Sequence, residues 1–183
     1  MNRAMIGTLV ASALLLLTGC ASTTAPIGAK RDVLVHDSEA TISRFQVNDA
    51  DMDRFFKRSY GYAIFPVIAK GGLGVGGANG RGLVYEEGKL VGYTTVTQAT
   101  FGLQLGGQSF SELIFFKDKI DLNHFKEGNY EFGAQASAVA VTAGAAAAAD
   151  YAHGVVIFTI TRAGLMFEAS VGGQKFTYSP ITD

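Results

Sequence analysis

The chain is poor in the residues on which most site chemistry depends. It has three histidines, His36, His124 and His153, in unrelated contexts, and none shows HExxH or another metal-ligand spacing. No Gly-x-Ser-x-Gly elbow is present, and a single cysteine, Cys20, excludes an internal disulfide. The formal net charge is only −1, so no global basic field gathers nucleic acid from a distance. Proline is scarce, at 3 residues, whereas hydrophobic residues make up 48% and charged residues 17%, a balance that argues against disorder. These shortages point to a non-enzymatic chain with no metal, no cofactor and no nucleic-acid partner.

What is present begins at the N-terminus. Arg3 precedes the apolar run Leu9–Leu17, the charged and apolar regions of a secretory signal. That run is shorter than the roughly 18 residues needed to cross a bilayer. Leu17-Thr18-Gly19-Cys20 resembles the lipobox of bacterial lipoproteins, which implies cleavage after residue 19 and acylation of Cys20. Ser22, the second residue after the cysteine, is not the Asp that would resemble an inner-membrane retention signal, so the resemblance implies the periplasmic face of the outer membrane. Several acyl chains on one cysteine give stable anchoring where one would not. The expected organisation is a leader at 1–19, a lipidated tether at 20–30 and a single domain at 31–183.

Glycine is abundant, at 23 residues, as suits a β-rich fold with tight turns and close backbone approaches. From Asp32 to Tyr60 the pattern is helical: Leu34, Ser38, Ile42 and Phe45 share a stripe. Asn48 or Asp49 is placed to cap a second helix carrying Met52, Phe55 and Phe56, with Gly61 to end it. Tyr62–Phe116 reads as strands, with an edge or bulge at Pro66 and a turn at Lys70-Gly71-Gly72. Glu86–Lys89 is read as the turn of a hairpin. Phe101–Gln108 alternates, with Phe101, Leu103 and Leu105 on one face and Gly or Gln on the other, which predicts a half-buried strand whose second face is approached closely by backbone. Phe110–Phe116 is continuously apolar, as a central strand is. A short helix is expected near Asp118–Lys126, stopped by Gly128. Tyr130–Val141 alternates again, Ala143–Ala149 is a helical turn or tight loop, and Gly154–Thr161, Leu165–Val171 and Lys175–Tyr178 read as three closing strands. The fold class expected is α+β: a curved antiparallel sheet or partly closed barrel, with N-terminal helices and one short inserted helix.

Two internal echoes stand out. Gly61-Tyr62-Ala63-Ile64-Phe65 leading to Lys70-Gly71-Gly72-Leu73 is matched by Gly154-Val155-Val156-Ile157-Phe158 leading to Arg162-Ala163-Gly164-Leu165. Gly106–Phe110 is matched by Gly172–Phe176. They read as two similar hairpins on one sheet, related by a pseudo-twofold axis. Gly72–Gly77 fits G-x-G-x-x-G, but a strand and not a helix follows, so it is sheet punctuation and no phosphate cradle. Glu112 and Glu168 each sit in an apolar strand, which fits a paired-carboxylate site but more often means that such residues face solvent or a basic partner.

Ala63-Ile64-Phe65-Pro66, Lys70–Gly77, Gly82-Leu83-Val84-Tyr85, Gly102–Gln108, Phe132-Gly133-Ala134 and Gly164–Glu168, in this order, resemble the SYLF-domain family. The resemblance runs from about residue 35 to Tyr178. It implies a lipid-binding domain, known in eukaryotic members for phosphoinositide and actin-filament binding. The family's lipid contacts are ascribed to a basic amphipathic N-terminal helix, which corresponds here to the Asp32–Arg58 region. That region also carries Asp32, Asp37, Glu39, Asp49, Asp51 and Asp53, a departure from a strongly basic face. Actin does not occur in a bacterial periplasm and is not carried over.

The function expected is docking on anionic phospholipid head groups through Arg44, Arg54, Lys57 and Arg58, helped by Lys70 and Arg162 at the echoed positions. Each cation near an anionic surface contributes about 1 kcal/mol. The alternative is a structural protein of the cell envelope that offers its sheet edges to another envelope protein.

Overall fold

The computed structural model describes residues 28–128, 131–132 and 138–181, with side chains described outside 131–132 and 165–172. The leader, Cys20 and the tether up to residue 27 lie outside the described residues, as do residues 130 and 133–137 of the expected Tyr130–Val141 strand.

Helix α1 runs Ala29–Asn48 and buries Ser38, Thr41 and Phe45, while Leu34 and Ile42 are half-buried. Its buried face is therefore mostly small and polar, with Phe45 as the one large anchor. Asp49 ends it and starts a 3-10 turn, Ala50–Met52, by accepting from the Asp51 N–H at 3.1 Å. Helix α2, Asp53–Arg58, follows and stops at Ser59, whose N–H returns to Phe55 O at 2.9 Å. The second helix is thus shorter than expected, and Gly61 opens a strand instead of closing a helix.

The sheet is built on three long strands, β1 (Gly61–Glu86), β2 (Lys89–Phe116) and β5 (Val155–Pro180). Between β2 and β5 come helix α3 (Lys119–Lys126), the short strands β3 (Glu131–Phe132) and β4 (Val139–Ala140), and helix α4 (Ala145–Ala148). The strand order is β1-β2-β5-β3, antiparallel throughout, with β4 added to β5 in parallel. The α+β class and the antiparallel framework are as expected, the parallel β4 makes the sheet mixed, and the path does not close into a barrel among the described residues.

Several expected breaks are absent. Lys70-Gly71-Gly72 lies inside β1, paired with Gln108, Gly107 and Gly106, and the three closing strands are one strand. A glycine run weakens a strand locally, but hydrogen bonds to a neighbour hold it extended. The Glu86–Lys89 turn is as expected: Glu87 and Gly88 have φ of 48° and 78°, the two positive values a two-residue hairpin turn needs. The internal echo is not a pair of hairpins. Its two copies lie on β1 and β5, which run in the same direction on either side of β2, and both copies carry a bulge. In β1 the bulge falls between Phe65 and Ile68, and in β5 it falls opposite Ser109 and Phe110. Arg162 Nη1 donates to Pro66 O at 3.0 Å and Ser111 Oγ donates to the same carbonyl at 2.7 Å, tying the β1 bulge across β2.

β1 and its neighbours fold back on themselves at about mid-length, with Gly74 at φ 71° in the bend. A Cβ on Gly80 would lie 2.7 Å from Ile68 Cγ1 and 2.9 Å from Val67 O, so the two halves of β1 meet closely. Between the halves lies one core, including Phe65, Ile114, Phe116, Ile157 and Phe176, with Leu122 and Phe125 of α3 plugged into it. Phe65 and Phe176, from opposite halves, have ring centroids 5.7 Å apart. The alternate residues Ile64, Leu113, Phe115, Val156 and Phe158 form a second core with Phe45, Met52, Phe55 and Ala146 from the helices. The half of β2 at Phe110–Phe116 is thus covered on both faces, which is why its sequence does not alternate.

Candidate lipid-facing surfaces

The six cations singled out in the sequence do not come together. Arg54 is committed within the fold: it donates to Ala146 O at 2.6 Å and to Ala149 O at the end of α4, and its guanidinium stands 4.6 Å from the Phe55 ring centroid. Arg44 is half-buried, and Lys57 and Arg58 are exposed in the last turn of α2, where they complement the helix dipole. Tyr60, just beyond them, donates its N–H to Phe116 O at 3.0 Å, which sets this group at the base of the sheet. Lys70 and Arg162 stand elsewhere, close to the fold, where Lys70 pairs with Gln108 and Ala163 with Ser109. From Gly61 to Lys70 is about 30 Å along an extended strand. A single docking patch of all six is therefore not built; there is a basic base and, at the other end, Lys70 and Arg162.

The base is tied by polar contacts. Glu86 accepts from Tyr60 Oη at 2.8 Å and pairs with Lys126 of α3, and these two donors hold its carboxyl below the usual carboxylate range. The same carboxylate pushes the Tyr60 hydroxyl up to about 12. Hairpin, α3 and the start of β1 are joined there.

The opposite end was misread in the sequence. Phe101, Leu103 and Leu105, expected on a half-buried face, are 65, 72 and 63% exposed, and Leu73 and Val75 of β1 are 77 and 61% exposed. The buried residue is Gln104, at 4% exposure. Its Oε1 accepts from Thr100 Oγ1 at 2.8 Å, and its Nε2 donates to Thr100 O at 3.1 Å and to Gly74 O at 3.3 Å. Alternation shows that two faces differ but not which one is covered. Here β1 closes on the inner face at Gln104 and Thr100, while the residues the helices bury lie in the other half of the sheet. The signal that could have located this surface is the lack of charge: no Asp, Glu, Lys or Arg occurs in 71–80 or 90–111.

Glu112 lies in the core between the halves, 2% exposed, with Oε2 accepting from Gln174 Nε2 at 3.1 Å and Oε1 unpartnered. Burial pushes its carboxyl up to about 7 against the lowering effect of the Gln174 amide. The Glu168 side chain lies outside the described residues. Its backbone pairs with Gln104 at the fold, whereas Glu112 pairs with Thr159. Among the described residues, no group of histidine, cysteine and carboxylates has metal-binding geometry, and no helix is long and apolar enough to cross a membrane.

A folded antiparallel sheet with helices on one half and an exposed apolar end defines a β-rich α+β domain. Residues 97–180 match the family described as Ysc84, Las17-binding protein actin regulator, the SYLF family that the sequence motifs resemble. Over 123 residues the chain is 28% identical to beta cell expansion factor A of Aeromonas veronii, covering 66% of this chain and 46% of that protein. The chain thus spans less than half the length of that relative.

Proposed function

We propose that this protein is a non-enzymatic lipoprotein, anchored through Cys20 to the periplasmic face of the outer membrane, whose SYLF domain binds anionic phospholipid. The observation that carries the reading is the SYLF match over residues 97–180, which takes in most of β2, α3 and β5. The placement of the cations supports it and refines it. With Arg54 half-buried and engaged by α4 and Lys57 and Arg58 at the base, head-group contact rests on Lys70 and on Arg162, which donates to Pro66 O but stays exposed, beside the uncharged β1 and β2 segments of the fold. The tether agrees with that side: the first turn of α1 lines a groove with Arg81, about 20 Å from Val75 along β1.

The test is flotation of residues 21–183, without an acyl anchor, on phosphatidylcholine vesicles with and without phosphatidylglycerol at low and moderate salt. Anion-dependent, salt-sensitive flotation is expected. Equal flotation on both vesicle types, or none, overturns the reading. Mass spectrometry of the N-terminal peptide from the membrane-bound protein checks the acylated Cys20, and its absence there would overturn the anchor.

A further inference from the structure

The uncovered end of the sheet has a composition and a hydrogen-bonding state that suit one environment. Leu73, Val75, Phe101, Leu103 and Leu105 are all more than 60% exposed, and they come together by register, Leu73 opposite Leu105 and Val75 opposite Phe101. A contiguous exposed apolar patch on a soluble domain marks an interaction surface. We propose that this tip enters the acyl layer of the bilayer, with Lys70 and Arg162 at head-group depth. The inference rests on the lipid-binding reading above and adds the surface used and the depth reached.

Three observations favour a bilayer over a protein as the occupant. First, the tip segments of β1 and β2 carry no charge in 71–80 or 90–111, and Lys70 of β1 and Arg162 of the β5 bulge stand at their margin; the one charged residue of β5 opposite the tip is Glu168, whose backbone pairs with the inward-facing Gln104 and not with Leu103 or Leu105. Lys70 is three residues from Leu73, about 10 Å along a strand, which matches the 5–10 Å to which interfacial segments sink their apolar face. Second, the central strand of the tip is paired along its length with β5, Leu103 with Ala169 and Leu105 with Phe167, although between β1 and β2 the register skips Gly74 and 102–104. Leu105 of β2 lies between Leu73 of β1 and Phe167 of β5, so its entry into hydrocarbon leaves its peptide groups hydrogen-bonded within the sheet. Third, only residues 20–27 separate the expected anchor from the start of α1, a reach of about 28 Å when extended. That length keeps the domain against the membrane and leaves it able to turn the tip inward.

The chain contains no tryptophan, so a single introduced indole reports its own surroundings. The full protein, as cells process it, is reconstituted into phosphatidylglycerol-containing vesicles with brominated acyl chains, once as Leu103→Trp and once as Val47→Trp. Val47 is 86% exposed in the last turn of α1, away from the tip. The expected result is a blue shift and at least a twofold quenching for L103W and neither for V47W. A second variant, Leu103→Asp, is expected to lower flotation of residues 21–183 about tenfold with an unchanged melting temperature. Flotation with L103W unquenched overturns the tip and leaves the lipid-binding reading standing; loss of both flotation and quenching overturns both. A concentration-dependent dimer that L103D dissolves, with L103W unquenched, would seat a second copy on the tip and overturn the inference.

Discussion

A Cβ placed on Gly76 would lie 2.7 Å from Gln104 Cδ and 2.8 Å from Thr100 Oγ1, so β1 closes on the Gln104 amide with no space between them. The bend that creates the exposed tip is thus held by one polar side chain whose Oε1 and Nε2 both have protein partners.

Gly76→Ala is expected to push that amide out of place and cost about 1–3 kcal/mol, the penalty for leaving buried polar groups without partners. Thermal unfolding measures it. Adding Gln104→Ala should cost less than the sum of the two single changes, because the clash and the lost bonds share one partner.

Asp49 and Arg54 hold α4 between them. Asp49 Oδ2 accepts from Ala146 N at 2.7 Å, while Arg54 donates to the Ala146 and Ala149 carbonyls. Asp49→Ala and Arg54→Lys are each expected to lower stability by about 1–3 kcal/mol, the second because an ammonium cannot reproduce the guanidinium fork. Flotation per mole of folded protein should stay at the wild-type level. A loss of flotation at full stability in R54K would return Arg54 to the lipid contacts.

Glu112 makes stability depend on pH. Its folded-state value, about 7, lies above the ordinary 4.5, so between these values the native state holds a proton that the unfolded state has released. Stability is therefore full below about pH 4.5, falls as pH rises towards 7 and is level beyond. The fall attributable to this group is about 2–3 kcal/mol. Denaturant titrations at pH 5 and pH 8 should show it in the wild type and show it abolished in Glu112→Gln.

The two groups of cations should separate in function. Lys57→Ser with Arg58→Ser is expected to leave vesicle flotation within about twofold, and Lys70→Gln with Arg162→Gln to lower it about thirtyfold, in line with about 1 kcal/mol per cation at an anionic surface. The reverse order would move head-group contact to the base of the sheet.

Much of the fold was legible because its signals are local. The Glu86–Lys89 turn, the Asp49 cap, the bulge at Pro66 and the helix at α3 each depend on neighbours within a few residues. The strand breaks at Lys70–Gly72 and along β5 were misread because a glycine run looks alike in a turn and in a strand held by its neighbours. Alternation in Phe101–Gln108 separated two faces and marked the Gly and Gln face as the one backbone approaches, as β1 does at Gln104, but the apolar face expected to make the strand half-buried is exposed.

The sequence by itself determined the α+β class, the SYLF resemblance and which residues carry charge, since these follow from composition, period and motif order. Only the tertiary structure decided which of those residues meet. Folding the sheet back on itself buried Gln104 and Glu112, set Leu73, Phe101 and Leu103 at an uncovered end, and separated Lys57 and Arg58 from Lys70 and Arg162. The reason is geometric: a strand advances about 3.3 Å per residue. Residues near in sequence are thereby carried far apart, and distant ones are brought together where the sheet bends.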